Sequence, residues 1–137
     1  MTSVLISHLW TGIFFGRPSY PYTVRMAIAA TPFPPYYAVV FTSLRTAGDN
    51  GYGKMAEAME KLAATQKGFL GIESVRDELG RDGLGITVSY WESLEAIAAW
   101  KANATHLVAQ QRGRETWYEE FKVRICRVER DYGFAQR

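Results

Sequence analysis

Cysteine is almost missing from this chain of 137 residues: Cys126 stands alone, so no disulfide forms within one chain, and a reducing, cytoplasmic location is expected. One thiol and two histidines are too few for a tetrahedral structural zinc site. An excess of one charge is missing too. The net charge is +2 and no basic run of five or more residues occurs, so no nucleic-acid partner is expected. Long apolar runs are absent; residues 4–15 are apolar and aromatic but too short to span a bilayer, and no basic residue precedes them as in a secretory signal. No membrane association is expected. Proline is absent after position 35: Pro18, Pro21, Pro32, Pro34 and Pro35 are all in the first 35 residues. Proline fixes φ and removes a backbone donor, so residues 1–35 read as a poorly ordered, Pro-rich extension and residues 36–137 as one domain. Met26 opens MAIAATPFPP and offers an alternative translation start; otherwise residues 1–25 read as an arm that docks on the chain or on a partner.

What is present centres on residues 85–107, GITVSYWESLEAIAAWKANATHL. Ile86, Val88 and Tyr90 alternate with Thr87, Ser89 and Trp91 at the period of a strand. At Ser93, whose hydroxyl suits a helix cap, the pattern changes. Ile97, Trp100, Ala104 and Leu107 then recur at the spacing of a helix face, with a polar stripe of Asn103, His106 and Gln110 beside them. Asn103 or Thr105 is expected to cap a second helical piece beyond a bend, running through Arg112 toward Gly113.

Upstream, residues 36–44 read as a strand that is apolar on both faces, which requires cover on both. Turn residues fill 47–53. Residues 54–67 read as a helix with Met55, Ala58, Met59, Leu62 and Gln66 inward, a Glu57–Lys61 pair outward and Gly68 as its C-cap. Residues 69–77 read as a second strand, 79–85 as a hairpin loop with three glycines, and 121–128 as the fourth strand. The order βαββαβ is the ferredoxin-like plan of an α+β fold: one antiparallel sheet with both helices on one face. Ile86 and Val88 group with Phe121, Val123 and Ile125 as candidates for one face, against Thr87, Ser89, Lys122, Arg124 and Cys126. The face away from the helices then carries an apolar patch that monomers rarely tolerate, so a twofold homodimer, sheet against sheet, is expected.

The run ITVSYWESLEAIAAWKANATHLVAQQRGRETWYEEFKVRICRVERDY resembles the antibiotic biosynthesis monooxygenase domain family, within the dimeric α+β barrel superfamily. The similarity covers residues 36–134, and its telling pieces are GFLGIES at 68–74, SYWESLEAIAAWK at 89–101 and HLVAQQRGRETWY at 106–118. The resemblance implies a ferredoxin-like protomer in a dimeric α+β barrel. For the family's oxygenases it implies chemistry without metal or flavin, in which a phenol or anthrone-like substrate loses a proton and the carbanion passes an electron to O2. Such chemistry needs a base, a stabiliser for the anion and a dry aromatic cavity. On that reading Asn103 holds a substrate oxygen or dioxygen, Trp100 donates from its indole and walls the cavity, and His106 is the base. Arg124 or Arg114 stabilises the enolate or phenolate, and Tyr90, Gln110, Arg114 and Tyr118 contact the substrate.

Each residue also has a structural reading. Trp100 packs a core, Asn103 caps a helix, His106 is a hydrogen-bonded structural histidine, and Arg124 pairs with Glu73 or Glu129. Tyr90, Trp91, Trp117 and Tyr118 read as core or interface aromatics. Two other functions stay open. One is haem degradation: the superfamily's haem-degrading members are similar in carrying a Trp and an axial His on this helix. Here His106 follows Trp100 by six residues and Gln110 stands nearer the axial place, which puts haem below the cofactor-free reading. The other is a barrel that binds a small molecule without turnover.

Overall fold

Six elements follow in the order β1 (Tyr36–Arg45), α1 (Tyr52–Ala64), β2 (Phe69–Arg76), β3 (Leu84–Trp91), α2 (Leu94–Gln110) and β4 (Tyr118–Val128) in a computed structural model. It describes residues 28–77, 83–110 and 117–135, and the side chains of all of these except 106–110. The strands form one antiparallel sheet in the order β2-β3-β1-β4, the ferredoxin-like arrangement expected from βαββαβ. The tip of the expected 79–85 hairpin and the 1–25 segment with its Met26 start lie outside the described residues.

Local chemistry sets each helix. Ahead of α1, the Asp49 carboxylate accepts from the backbone N–H groups of Gly51 and Gly53, both at 3.0 Å, so one side chain shapes the turn and satisfies a first-turn donor. Met55 and Ala63 are buried, while the Glu57–Lys61 pair, at 2.7 Å, is exposed and contributes little. The helix ends earlier than expected, at Ala64 with Thr65 as its cap. Gly68 is therefore not the cap. It has φ +85° in the turn just before β2, and an added Cβ would lie 2.7 Å from that of Ala96. Ser93 does cap α2, accepting from the Ala96 N–H at 3.1 Å. The expected bend at 103–105 does not occur, since Leu94–Gln110 is one helix. The Asn103 amide turns outward to Gln66 at 2.9 Å instead of capping. The expected continuation through Arg112 lies outside the described residues.

Register decides the faces. Val39 lies opposite both Ser89 and Ile125, and Phe41 opposite both Thr87 and Val123. Phe121, Val123 and Ile125 therefore share a face with Thr87, Ser89 and Trp91, not with Ile86 and Val88. Alternation within each strand is as read from the sequence; the offset between strands is corrected, because a one-residue difference in register exchanges the faces. The helices lie on the Trp91 side, where Trp100 of α2 stacks on Trp91 and Tyr52 of α1 meets Arg76.

The other face is partly covered by the chain's own flanks. Residues 28–35 form neither helix nor strand. Their Ala29 N–H donates to Glu73 of β2 at 2.8 Å, and Ala29 lies over Gly71. Tyr36 donates to Asp131 from the opposite flank at 2.6 Å. Tyr36 and Ala38 are buried there. At the far corner Val75, Leu84 and Ile86 remain 39–60% exposed.

Candidate functional site

The helix side of the sheet carries two aromatic groups, one toward each end. The first is built on Trp91, which is 0% exposed. Trp100 stacks on it at 5.9 Å and 24°, Phe69 meets it edge-on at 5.4 Å, and its indole N–H donates to the buried Ser89 hydroxyl at 2.9 Å. Trp100 itself is only half-buried, so its ring is held by Trp91 while part of it reaches the surface. Asn103 is exposed, and its amide ties α2 to Gln66 just beyond α1. His106 and Gln110 belong to α2, but their side chains, and Arg114 altogether, lie outside the described residues. That applies equally to a base and to a haem ligand on α2.

The second group forms around Tyr118. Its ring meets Phe41 at 5.5 Å, Tyr52 at 5.8 Å and Phe121 at 5.9 Å. Simple alternation would put Tyr118 on the same face as Lys122 and Arg124. A register shift at Leu44/Arg45 sets it opposite Arg45 and brings it round to the helix side. Two guanidiniums complete the group. Arg45 sits 3.5 Å above the centre of the Tyr52 ring, and Arg76 5.6 Å from it. Arg76 also donates to the Ser43 hydroxyl at 2.8 Å and to the Tyr52 hydroxyl at 3.3 Å. Burial, then the neighbouring Tyr52 phenol, hold Tyr118 above the usual tyrosine range, although Arg76 and Arg45 pull it down. Tyr118 therefore stays protonated at neutral pH, a hydrogen-bond donor and not a base.

Tyr90 and Arg124 point the other way. Tyr90 alternates with Trp91, and Arg124 lies opposite Val40, so both are on the face without helices. The expected partners of Arg124 are engaged elsewhere: Glu129 with Arg127 at 3.4 Å, and Glu73 with Tyr90 at 3.0 Å and with Ala29. The structure thus gathers Trp100, Asn103 and Tyr118 on one side and sets Tyr90 and Arg124 on the other. Arg45, Arg76 and Tyr52 were not among the expected site residues. Arg45 continues the Tyr37-Val39-Phe41 alternation, which was a usable signal; Arg76 gave none before its strand was paired.

Burial first, then the hydrogen bond to Glu73, push the Tyr90 phenol up to about 12. A pKa raised above the unfolded value of about 10 stabilises the fold below that pH, and the contribution is lost as pH rises through the native value. Phenolate absorbance of the native protein is expected to show late-ionising tyrosines, one fewer in Tyr90→Phe. Ionisation of every tyrosine together near the ordinary value would contradict this.

A family model described as antibiotic biosynthesis monooxygenase matches residues 51–112, from the turn before α1 through α2. The chain is 50% identical over 109 residues to the uncharacterized protein YqjZ of Bacillus subtilis, covering 80% of this chain and 93% of that one. It is 30% identical over 94 residues to the jasmonate monooxygenase ABM of Pyricularia oryzae, covering 67% of this chain but only 43% of that enzyme. Among solved structures it shares its fold with SnoaB, a cofactor-independent oxygenase from Streptomyces nogalater, at a TM-score of 0.58 and 11% identity over 72% of this chain and 97% of that one. The chain belongs to the antibiotic biosynthesis monooxygenase domain family.

Proposed function

We propose that this protein is a cofactor-independent monooxygenase that oxidises a small aromatic or polyketide-like molecule with O2. The observation that carries the reading is the seating of Trp100. The buried Trp91 fixes its ring, part of that ring stays open, and Asn103 follows three residues on along α2. A flat substrate lies against such a wall. Asn103 holds its oxygen or dioxygen, and His106 takes its proton, the one imidazole in residues 36–137. The carbanion gives an electron to O2, the pair recombines as a peroxide, and loss of water leaves a carbonyl where a CH2 stood. Arg124 and Tyr90, on the opposite face, take part only across a dimer. The relatives support the reading by name: one is a jasmonate monooxygenase, and a fold neighbour is a cofactor-independent oxygenase. A homodimer, pairing the exposed corner of Val75, Leu84 and Ile86 with a second copy, belongs to the same proposal.

Oxygen uptake with a panel of anthrones and quinols tests it. Turnover is expected with at least one member. Loss of about 10²–10⁴-fold in kcat/KM is expected for His106→Ala, and about 10²–10³-fold for Asn103→Ala. No uptake with any member, together with saturable thermal shifts by aromatic ligands, would favour a binding protein without turnover.

A further inference from the structure

We infer that Arg45 and Arg76 form a seat for the carboxylate of a small aromatic acid, whose apolar body lies along Phe41, Phe121, Val123 and Ile125. This names the substrate class of the proposed function and rests on that reading for the helix side being the binding side.

Four observations lead there. The two guanidiniums flank one ring, that of Tyr52, at 3.5 and 5.6 Å, so two like charges are held close together. Among the described residues no carboxylate forms an ion pair with either. Asp49, whose backbone carbonyl accepts from Arg45, uses its carboxylate on the backbone amides of Gly51 and Gly53. Two neighbouring cations favour an anion beside them.

The Nε of Arg45 is buried and has no hydrogen-bond partner, although an Nη of the same group donates to the Gly48 carbonyl at 3.1 Å. A buried donor without an acceptor is unfavourable, so the Arg45 charge is only partly satisfied by the chain. The seat is also built to hold its cations in place. Arg76 is fixed by Ser43, Gly83 and Tyr52, and its guanidinium lies against the bare backbone of Gly85, where any side chain would collide with it.

The apolar part adjoins the seat. Phe121 stacks on Phe41 at 5.5 Å, and Phe121, Val123 and Ile125 form the helix-side row of edge strand β4. That row is 37–53% exposed on the side of the sheet the helices share. An apolar strip that ends at two cations fits an amphipathic acid: ring on the strip, carboxylate on the arginines.

The test uses the whole chain and two probes of one shape, 2-naphthoate and the neutral 2-naphthamide, followed by calorimetry. Naphthoate is expected to bind about tenfold or more tightly than the amide, and to weaken with added salt. Arg45→Gln and Arg76→Gln are each expected to lower naphthoate affinity by about tenfold or more while changing naphthamide affinity little. Circular dichroism checks folding. If Arg76→Gln unfolds, Arg45→Gln decides, because it removes none of the bonds to Ser43 or Gly83. Equal binding of the two probes, no saturable naphthoate binding, or naphthoate affinity unmoved by the substitutions would overturn the seat. An unaltered chain that binds naphthoate as described yet takes up no oxygen with any substrate would sink the oxygenase reading alone. Oxygen uptake without preference for the acid would sink the seat alone.

Discussion

Trp91→Ala is expected to destabilise the protein by about 3–5 kcal/mol, as removal of a fully buried large aromatic does. Three contacts go at once. The stack under Trp100 and the edge contact with Phe69 disappear, and the buried Ser89 hydroxyl loses its indole donor. Trp100→Ala is expected to cost clearly less, about 1–3 kcal/mol, because its ring is half-buried and Trp91 stays behind it. Urea unfolding of both variants makes the comparison, read as a lower midpoint at unchanged slope. Equal losses would mean that the two indoles act as one packed block, and Trp100 would then be an architectural residue with no face to offer a substrate.

Ile86→Glu is expected to raise the dissociation constant of the homodimer by about 10²–10⁴-fold. Twofold symmetry places a new carboxylate in each copy of the apolar contact made by Val75, Leu84 and Ile86, and a charge buried there without a partner costs about 3–5 kcal/mol. Ile86 lies beside Val75 on β2 and Thr42 on β1, in the exposed corner of the face without helices. The substitution leaves the single chain's core untouched, so circular dichroism is expected to match the unaltered protein. Sedimentation at low concentration separates the outcomes. An unaltered chain that already runs as one copy would end the dimer proposal and, with it, any part for Tyr90 and Arg124 at a shared site.

The architecture was legible because its signals are local. Period two in β1 and β3, period three to four in α2, and the Ser93 cap each depend on a few neighbouring residues. What failed depends on residues far apart. The grouping of Ile86 with Phe121 required the offset between β3 and β4, which only their shared pairing with β1 defines. Asn103 read as a cap because nothing nearby announces Gln66, 37 positions earlier. The site was half legible for the same reason. Trp100 and Asn103 follow from the stripes of one helix. Tyr118 reaches the helix side through a strand irregularity, and Arg76 reaches Tyr52 through a fold-back of the chain. Arginine and tyrosine at strand ends are common types that do not announce a site by themselves.

β1 is an inner strand whose two neighbours both come from the later half of the chain, with Tyr37 opposite Trp91 on one side and Arg127 on the other. Nothing the ribosome delivers before β3 can zip onto it, and its second edge waits for the last strand. Closure of so long a loop makes for slow, high-contact-order folding. The nascent chain must therefore keep a greasy ribbon unpaired until β3 is made and open on one edge until β4, which makes this the interval in which a chaperone matters most.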